Sequence, residues 1–421
     1  MNKYNHASLS NKSNLLVIPD AGAKTATALF IFKTGSRYES RQNNGISHFL
    51  EHMFFKGSQK YPNTLILSSA LDALGCEFNA FTSKEYTGYY VKAAANKLGK
   101  VLDILGDMML NPKLDSKEIE REKGVIIEEL NMYQENPMMH IDDVLENCLY
   151  GDTPAGWGIV GTKDNINSFK RADFVSYYAN QYGGDSASLI LAGKVKEQFV
   201  SKGKNILKKL NKGNFQQQIG VIENQKKPQI RALYKNIDQT VMSLAVRTFP
   251  INDKEEISAK MLALILGGAM SSRLFISLRE RKGLAYFIKT NTEFYSDTGY
   301  LTTQAGVPAE RAEEAVSIIL SEYRRLKTTL VGKEELQKIK DIMEGHIMMQ
   351  MEASDNLANW YGRQAIFRPK VMTPNDFLVL VNKITARDLQ ETACRIFVSS
   401  SLNLALIGKV KNRNFSEILK I

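Results

Sequence analysis

Two segments of the chain place apolar residues at the three- and four-residue spacing that predicts amphipathic helices. In the first, Asn43-Asn44-Gly45 is a helix start and Gly57 is a helix stop, about three turns apart. Its apolar positions are Ile46, Phe49, Leu50, Met53 and Phe54. Because these positions leave little polar surface, we expect the helix to be mostly buried.

The second helical segment covers residues 119–133 and combines an apolar arc with charge. At about 100° per residue, one arc contains Ile119, Val125, Ile126, Leu130 and Tyr133. Glu122 and Glu129 fall inside that arc. Glu120 and Glu128 point away from it, so we expect them to be solvated charges.

Repeats along the chain indicate a duplicated domain. Residues 188–196 recur in similar form as residues 403–411, and short alternating strands such as residues 25–34 accompany long amphipathic helices. A Gly-led strand pair followed by a helix also occurs twice, at residues 75–90 with 95–109 and at residues 283–303 with 309–326. The pattern predicts an α+β fold of two similar halves, each a mostly antiparallel or mixed β-sheet covered by α-helices.

The length of 421 residues is too great for a single core. Hydrophobic periodicity lapses in a Gln- and Lys-rich stretch at residues 211–227. We therefore predict an N-terminal domain at residues 1–212, a linker at 213–228 and a C-terminal domain at 229–421.

The first helix carries the sequence His48-Phe49-Leu50-Glu51-His52. Histidines at positions i and i+4 share a helix face, so both imidazoles can converge on one divalent cation, and Glu51 on that face can activate water. H-x-x-E-H is the inverted form of the H-E-x-x-H zinc-protease motif. The alternative is two histidines on an amphipathic helix by chance. A buried Glu beside two imidazoles is costly unless a cation compensates it.

Catalytic zinc usually has three protein ligands, so a further donor is needed. The helical arc selects Glu129 as that ligand, with Glu122 two turns earlier as a second carboxylate near the metal. The alternative is that both are amphipathic glutamates at the rim of an apolar stripe.

Together these residues resemble the pitrilysin-type (M16) metallopeptidases, which include mitochondrial processing peptidase and its bacterial relatives. The resemblance rests on His48-x-x-Glu51-His52 and on Glu122 and Glu129 in an E-R-x-K-G-V-I-I-x-E context. It implies that His48, His52 and Glu129 bind Zn²⁺, that Glu51 is the general base and that Glu122 is a supporting carboxylate.

Residues 75–83 look like that family's substrate-pairing edge strand. An exposed edge offers unpaired backbone groups that an extended peptide can join. Asn79, Ala80 and Phe81 are the candidate substrate contacts. The alternative is a plain hairpin strand packed within the sheet.

Residues 272–286 resemble a segment of the family's C-terminal half that holds the substrate backbone. Arg279 would lie at the end of a helix that Gly283 stops, and Tyr286 on the following strand. Both side chains can donate to a developing oxyanion. Without the resemblance, Arg279 would be a surface residue and Tyr286 a core residue.

The resulting prediction is a zinc-dependent endopeptidase that hydrolyses peptides or unfolded segments inside a chamber formed by the domain halves. The alternative is a non-catalytic M16-like scaffold or a partner subunit of a heteromeric peptidase. Such chains usually lack metal or base residues that this chain retains.

The resemblance also implies a homodimer, with a heterodimer as the alternative. Mixing inactive E51Q with inactive R279A chains separates action of Arg279 in cis from action in trans, because recovered activity requires shared subunits.

Composition indicates which partners and which location to expect for the protein. The net charge of +10 is spread through the chain without a nucleic-acid-binding motif, so we expect no nucleic-acid partner. No signal-peptide core or membrane-spanning apolar run is present, so we expect no membrane association. Cys76, Cys148 and Cys394 are widely spaced and odd in number, which predicts reduced, mostly buried thiols in a reducing compartment. Together with the lack of a signal-peptide core and of an Arg-rich transit peptide, this makes a cytoplasmic location the expectation.

Overall fold

The computed structural model of the chain describes residues 3–410 and 414–421. The strands are β1 (Asn5–Ser8), β2 (Asn14–Pro19), β3 (Thr25–Phe32), β4 (Glu77–Thr82), β5 (Thr87–Ala94), β6 (Ala187–Gly193), β7 (Gln229–Tyr234), β8 (Gln239–Arg247), β9 (Phe287–Phe294), β10 (Gly299–Pro308) and β11 (Leu402–Gly408). The helices are α1 (Ile46–Phe54), α2 (Thr64–Asp72), α3 (Leu98–Leu110), α4 (Ser116–Glu135), α5 (Pro137–Tyr150), α6 (Lys163–Ser168), α7 (Arg171–Gln181), α8 (Glu197–Leu207), α9 (Glu256–Gly267), α10 (Ala312–Thr328), α11 (Lys333–Gln350), α12 (Ser354–Phe367), α13 (Pro374–Lys383) and α14 (Ala386–Ile396).

The described residues form two compact units. The first unit contains the chain up to Leu130, with Gly158–Ile219 and His346–Phe377. The second contains Asn131–Trp157, Gly220–Gly345 and the chain from Leu378 onward. These units are not continuous in sequence, unlike the predicted halves 1–212 and 229–421, because each includes a helical segment from the other half. Residues 211–228 contain neither helix nor strand.

Each unit has one sheet, and the two sheets are built alike. The strand order is β1-β2-β6-β3-β5-β4 in the first unit and β7-β11-β8-β10-β9 in the second. The first six residues of each repeated segment, 188–193 and 403–408, lie in β6 and β11, and Lys411 lies outside the described residues. β6 pairs parallel with β2 and antiparallel with β3, and β11 pairs parallel with β7 and antiparallel with β8. The predicted duplicated α+β fold with mixed sheets is confirmed.

Strand β3 shows why the first unit needs helices on both faces of its sheet. Ala28, Phe30 and Phe32 belong to the cluster that contains Phe49 of α1. Leu29 and Ile31 belong to a second cluster with Leu357 and Tyr361 of α12. The alternating side chains of β3 therefore lie on two faces of the sheet, and both faces are buried. Helix α12, which is distant from β3 in the sequence, covers the second face.

Helices also pack against the sheet of the second unit. Helix α5 packs Ile141 and Leu145 against Ala245 of β8 and Ile407 of β11. Helix α9 contacts β9 and β10, and α10 and α14 pack with each other. The sheet of each unit thus contacts a helix from the other half of the sequence, α5 in the second unit and α12 in the first.

The helices and the cysteines bear on two of the expectations from composition. None of the described helices is both long and apolar enough to cross a membrane. The three cysteines are free thiols, with Cys148 buried, Cys76 half-buried and Cys394 exposed. The expectation of mostly buried thiols is therefore wrong for Cys394.

Replacing Phe49 by Ala is expected to destabilise the first unit strongly. Phe49 is fully buried, and its ring centroid lies 4.8 Å from that of Phe174 and 6.1 Å from that of Phe169. Loss of a buried ring should lower the free energy of unfolding by about 3–5 kcal/mol, measured by urea denaturation.

The control for that variant is V125A. Val125 of α4 is 52% exposed, so its truncation should change the free energy of unfolding by less than about 0.5 kcal/mol. A loss in F49A no larger than in V125A would contradict the core position of Phe49.

Candidate metal centre

The start of α1 is fixed by Gly45 and by the buried carboxylate of Glu39. Gly45 has φ +103°, and a Cβ there would lie 2.5 Å from the Val160 carbonyl oxygen. The backbone N–H of Gly45 donates to Glu39 Oε2 at 2.8 Å, and that of Ser47 donates to Oε1 at 2.8 Å. These bonds satisfy donors that a helix start leaves open, and they oppose the rise in the pKa of Glu39 that its burial causes. The predicted helix start is confirmed.

Helix α4 presents Glu122 and Glu129 on one face, seven residues apart. Glu122 is buried and Glu129 is half-buried, whereas Glu120 and Glu128 are exposed, as predicted. Val125, expected in the apolar arc, is exposed instead. The buried arc is therefore narrower than the helical projection suggested, and it contains both candidate carboxylates.

The structure brings together His48, His52 and Glu129. The two imidazole rings, one helical turn apart on α1, have centroids 4.8 Å apart. Glu129 Oε1 lies 3.7 Å from His48 Nε2, and Glu129 Oε2 lies 3.4 Å from His52 Nε2. One donor atom from each residue can be chosen so that all lie within 4.8 Å of one another.

These spacings fit a metal ion. Bond lengths of about 2.0–2.2 Å to tetrahedral zinc place neighbouring ligand atoms about 3.3 Å apart. The nitrogen–oxygen distances of 3.4 and 3.7 Å lie close to that value and exceed the usual length of a hydrogen bond. Two imidazoles and one carboxylate are also a donor set that catalytic zinc uses.

Glu122 supports one of the two imidazoles. His52 Nδ1 donates to Glu122 Oε1 at 2.9 Å, and Lys56 Nζ lies 2.6 Å from Glu122 Oε2. Because Glu122 holds the proton on Nδ1, loss of the other ring proton would leave the Nε2 lone pair of His52 available to a metal. Within the described residues, His48 Nδ1 is buried without a hydrogen-bond partner, so this support serves His52 alone.

The pKa values at the site reflect opposing effects of burial and charge. Burial by itself would lower the pKa of His52, but contacts with Glu122 and Glu129 raise it to about 9. The imidazoles of His48 and His52 hold the pKa of Glu129 well below its ordinary value. Burial raises the pKa of Glu122, but His52 and Lys56 outweigh it and the pKa is lowered. The carboxylates of Glu122 and Glu129 are therefore ionised and attract positive charge.

Glu51 differs from the other two carboxylates. Burial raises the pKa of Glu51, and the hydrogen bond from Thr82 and the charges of His48 and His52 only partly oppose that rise. Thr82 Oγ1 donates to Glu51 Oε2 at 2.6 Å. A carboxylate whose pKa is shifted upward takes and returns a proton more readily near neutral pH.

Asn79, Ala80 and Phe81 lie on β4, the last strand in the order of its sheet. β4 pairs antiparallel with β5, and Asn79 opposes Tyr90. Asn79 is exposed, and Ala80 and Phe81 are half-buried. β4 is thus an edge strand rather than one packed within the sheet.

Arg279 and Tyr286 belong to the second unit. Arg279 lies in a π-helix, Phe275–Glu280, with its guanidinium 5.0 Å from the Phe275 ring centroid. Gly283 has φ +57° and follows that helix, as predicted. Tyr286 precedes β9 by one residue, so its predicted place on the strand is off by one residue. Tyr286 is 72% exposed, so the alternative that it is a core residue is wrong.

Sequence reasoning missed Glu39, Lys56 and Thr82. Lys56 follows His52 by four residues, so helical spacing could have placed it near Glu122. Thr82 shares a strand face with Ala80, but nothing in the sequence relates that face to Glu51. No helical or strand spacing relates Glu39 to Gly45 and Ser47, because several loop residues separate Glu39 from the helix start.

The chain is similar to proteins named as zinc proteases. A relative from Bacillus subtilis (strain 168), named uncharacterized zinc protease YmxG, is 31% identical over 383 residues, which are 90% of this chain and 92% of the relative. Mitochondrial-processing peptidase subunit beta from Dictyostelium discoideum is 26% identical over 90% of this chain and 83% of that protein.

Comparisons with a solved structure and with family models also match the chain to peptidases. A protease from Helicobacter pylori superposes with a TM-score of 0.88 at 21% identity, covering 97% of this chain and all of that one. The model of Insulinase (Peptidase family M16) matches residues 15–163, and that of Peptidase M16 inactive domain matches residues 168–343. Since these matches together span more than half of the sequence, the chain belongs to peptidase family M16.

Proposed function

We propose that the protein is a zinc-dependent endopeptidase that hydrolyses peptides or unfolded polypeptide segments. The observation that carries the proposal is the convergence of donor atoms from His48, His52 and Glu129 within 4.8 Å. The Glu51 carboxylate is near enough to interact electrostatically with all three. Membership of family M16 and the names of the relatives support the same function.

His48 Nε2, His52 Nε2 and a Glu129 carboxylate oxygen would hold the Zn²⁺ ion. When bound, zinc supplies a Lewis acid that acidifies a water molecule and polarises a carbonyl group. Glu122 keeps His52 Nδ1 as a hydrogen-bond donor, so that Nε2 would be the ring nitrogen that binds the ion.

Glu51 is the proposed general base. Its carboxylate takes a proton from the attacking water and later returns that proton to the leaving amine. The upward shift of its pKa supports this role, because a carboxylate at its ordinary pKa holds a proton too weakly to return it efficiently near neutral pH.

Substrate binding is assigned to β4 and to two residues of the second unit. An extended peptide that pairs with the edge of β4 would contact Asn79, Ala80 and Phe81. Arg279 and Tyr286 would donate to the carbonyl oxygen that gains charge during hydrolysis. Both side chains are exposed, which leaves their donors open to a substrate.

Replacing Glu51 by Gln should remove activity without removing the metal. The amide keeps the size of the side chain but takes no proton, so turnover of a cleaved peptide should fall about 10²–10⁴-fold. Zinc per chain should stay at the wild-type level, measured by atomic emission on purified protein. Cleavage is read as fragments of a peptide library with and without chelator.

The matched control is E128Q, at an exposed position of α4, which should keep wild-type activity. Equal turnover in E51Q and wild type would remove Glu51 from the reaction. A wild-type chain without stoichiometric metal and without cleavage would favour the scaffold alternative.

Replacing Glu122 by Gln should weaken zinc binding. The neutral side chain accepts less strongly from His52 Nδ1 and loses its ion pair with Lys56, so zinc affinity should fall about 10- to 100-fold. Competition with a chromogenic chelator measures the change. E120Q, on the exposed face of the same helix, should bind zinc like wild type, and equal affinity in E122Q would contradict the supporting role.

We also propose that the chain works as a homodimer whose domain halves enclose the substrate. The support is the resemblance to family members of this length. Light scattering after gel filtration should give twice the chain mass of 47.3 kDa. A mass of one chain at micromolar concentration would contradict the homodimer.

A further inference from the structure

The proposed general base is tied to the proposed substrate strand by one hydrogen bond. Thr82, the last residue of β4, donates from Oγ1 to Glu51 Oε2 at 2.6 Å. The two residues are 31 positions apart in sequence, and the bond joins α1 to the sheet edge. A short hydrogen bond from a hydroxyl to a carboxylate is among the stronger kinds in proteins.

The two oxygens of Glu51 have different surroundings. Oε2 is held by Thr82, while Oε1 has no hydrogen-bond partner among the described residues. A carboxylate held at one oxygen has less rotational freedom, and its free oxygen points in one direction. This arrangement leaves Oε1 to exchange the proton.

The position of Thr82 is itself well fixed. The β4–β5 turn is closed by a hydrogen bond from the Ser83 backbone N–H to the Tyr86 carbonyl at 2.8 Å. The Arg37 backbone N–H donates to the Lys84 carbonyl at 2.8 Å, and the buried Arg37 side chain pairs with Glu85 at 2.7 Å. The turn that follows Thr82 therefore has little freedom to move.

Because Thr82 lies on the strand assigned to substrate pairing, its hydroxyl is placed relative to a bound peptide. Residues 80 and 82 share a strand face, and Ala80 is one of the proposed substrate contacts. A peptide paired with β4 would thus be aligned with the same element that holds the Glu51 carboxylate.

We propose that Thr82 is a positioning residue that holds Glu51 in the orientation needed for proton transfer to and from a peptide paired with β4. This inference rests on the proposed peptidase function and deepens it. Thr82 acts through Glu51, and among the described residues its hydroxyl has no hydrogen bond to His48, His52 or Glu129. The hydroxyl is the essential group, so Ser should replace Thr and Val should not.

The test compares steady-state kinetics of wild type, T82V, T82S and E51Q on one fluorogenic peptide that the wild-type chain cleaves. T82V keeps the shape of the side chain and removes the donor, so kcat should fall about 10- to 100-fold, the loss typical of a hydrogen bond to a charged group. KM should stay within about twofold, since uniform binding is unchanged. T82S should retain kcat within about threefold of wild type, and every variant should keep wild-type zinc content.

Thr87 provides a matched control on the neighbouring strand. It opposes Thr82 in the sheet and is buried, and its Oγ1 donates to the Thr34 carbonyl at 2.9 Å rather than to Glu51. T87V should lower the melting temperature but keep the wild-type kcat. A fall in kcat for T87V equal to that for T82V would overturn the specific role of Thr82.

Other results would also overturn the inference. Wild-type kcat in T82V, or equal impairment of T82S and T82V, would show that the hydroxyl does not position Glu51, while the peptidase function stands. A wild-type chain that binds zinc but cleaves no peptide, or an E51Q chain as active as wild type, would overturn the proposed function and this role together.

Discussion

Helices α1 and α4 bring three carboxylates into one partly buried region, and the compensation of their charge is the constraint on which the site depends. Glu122 is balanced by His52 and Lys56, and Glu129 by the two imidazoles. Glu51 has one hydroxyl donor and repels Glu129, which helps to raise its pKa. Buried carboxylates without counter-charge are costly, so a divalent cation between the imidazoles and Glu129 would complete the balance.

The same region combines rigid elements with an accessible edge. Helix α1 is fixed at its start by Glu39 and along its length by Phe49, so His48, Glu51 and His52 are presented by a well-packed element. β4 ends its sheet, so the described residues pair only one of its backbone edges with another strand, and the other is the edge proposed to pair with a peptide. Sites held by packed helices and strands keep their geometry more closely than sites on loops. The same packed elements would therefore hold both the catalytic residues and the strand proposed to align the substrate.

Much of this arrangement follows from local sequence pattern. The helical spacing of Phe49 and its apolar neighbours predicted the buried face of α1, and the helical projection selected Glu122 and Glu129 over Glu120 and Glu128. The repeated segments predicted the matching positions of β6 and β11. Periodicity reports only which face is buried, so it could not show that α12 covers the first sheet or α5 the second. It also could not find Glu39 or Thr82, whose partners are brought near by tertiary folding alone.

The central claim is that His48, His52 and Glu129 form one zinc site. The most direct measurement is a crystal structure grown with zinc, with anomalous diffraction recorded on both sides of the zinc absorption edge. The account predicts one zinc peak per chain within about 2.0–2.2 Å of His48 Nε2, His52 Nε2 and a Glu129 oxygen. Zinc bound elsewhere, with these three side chains remaining in contact only with one another, would contradict it.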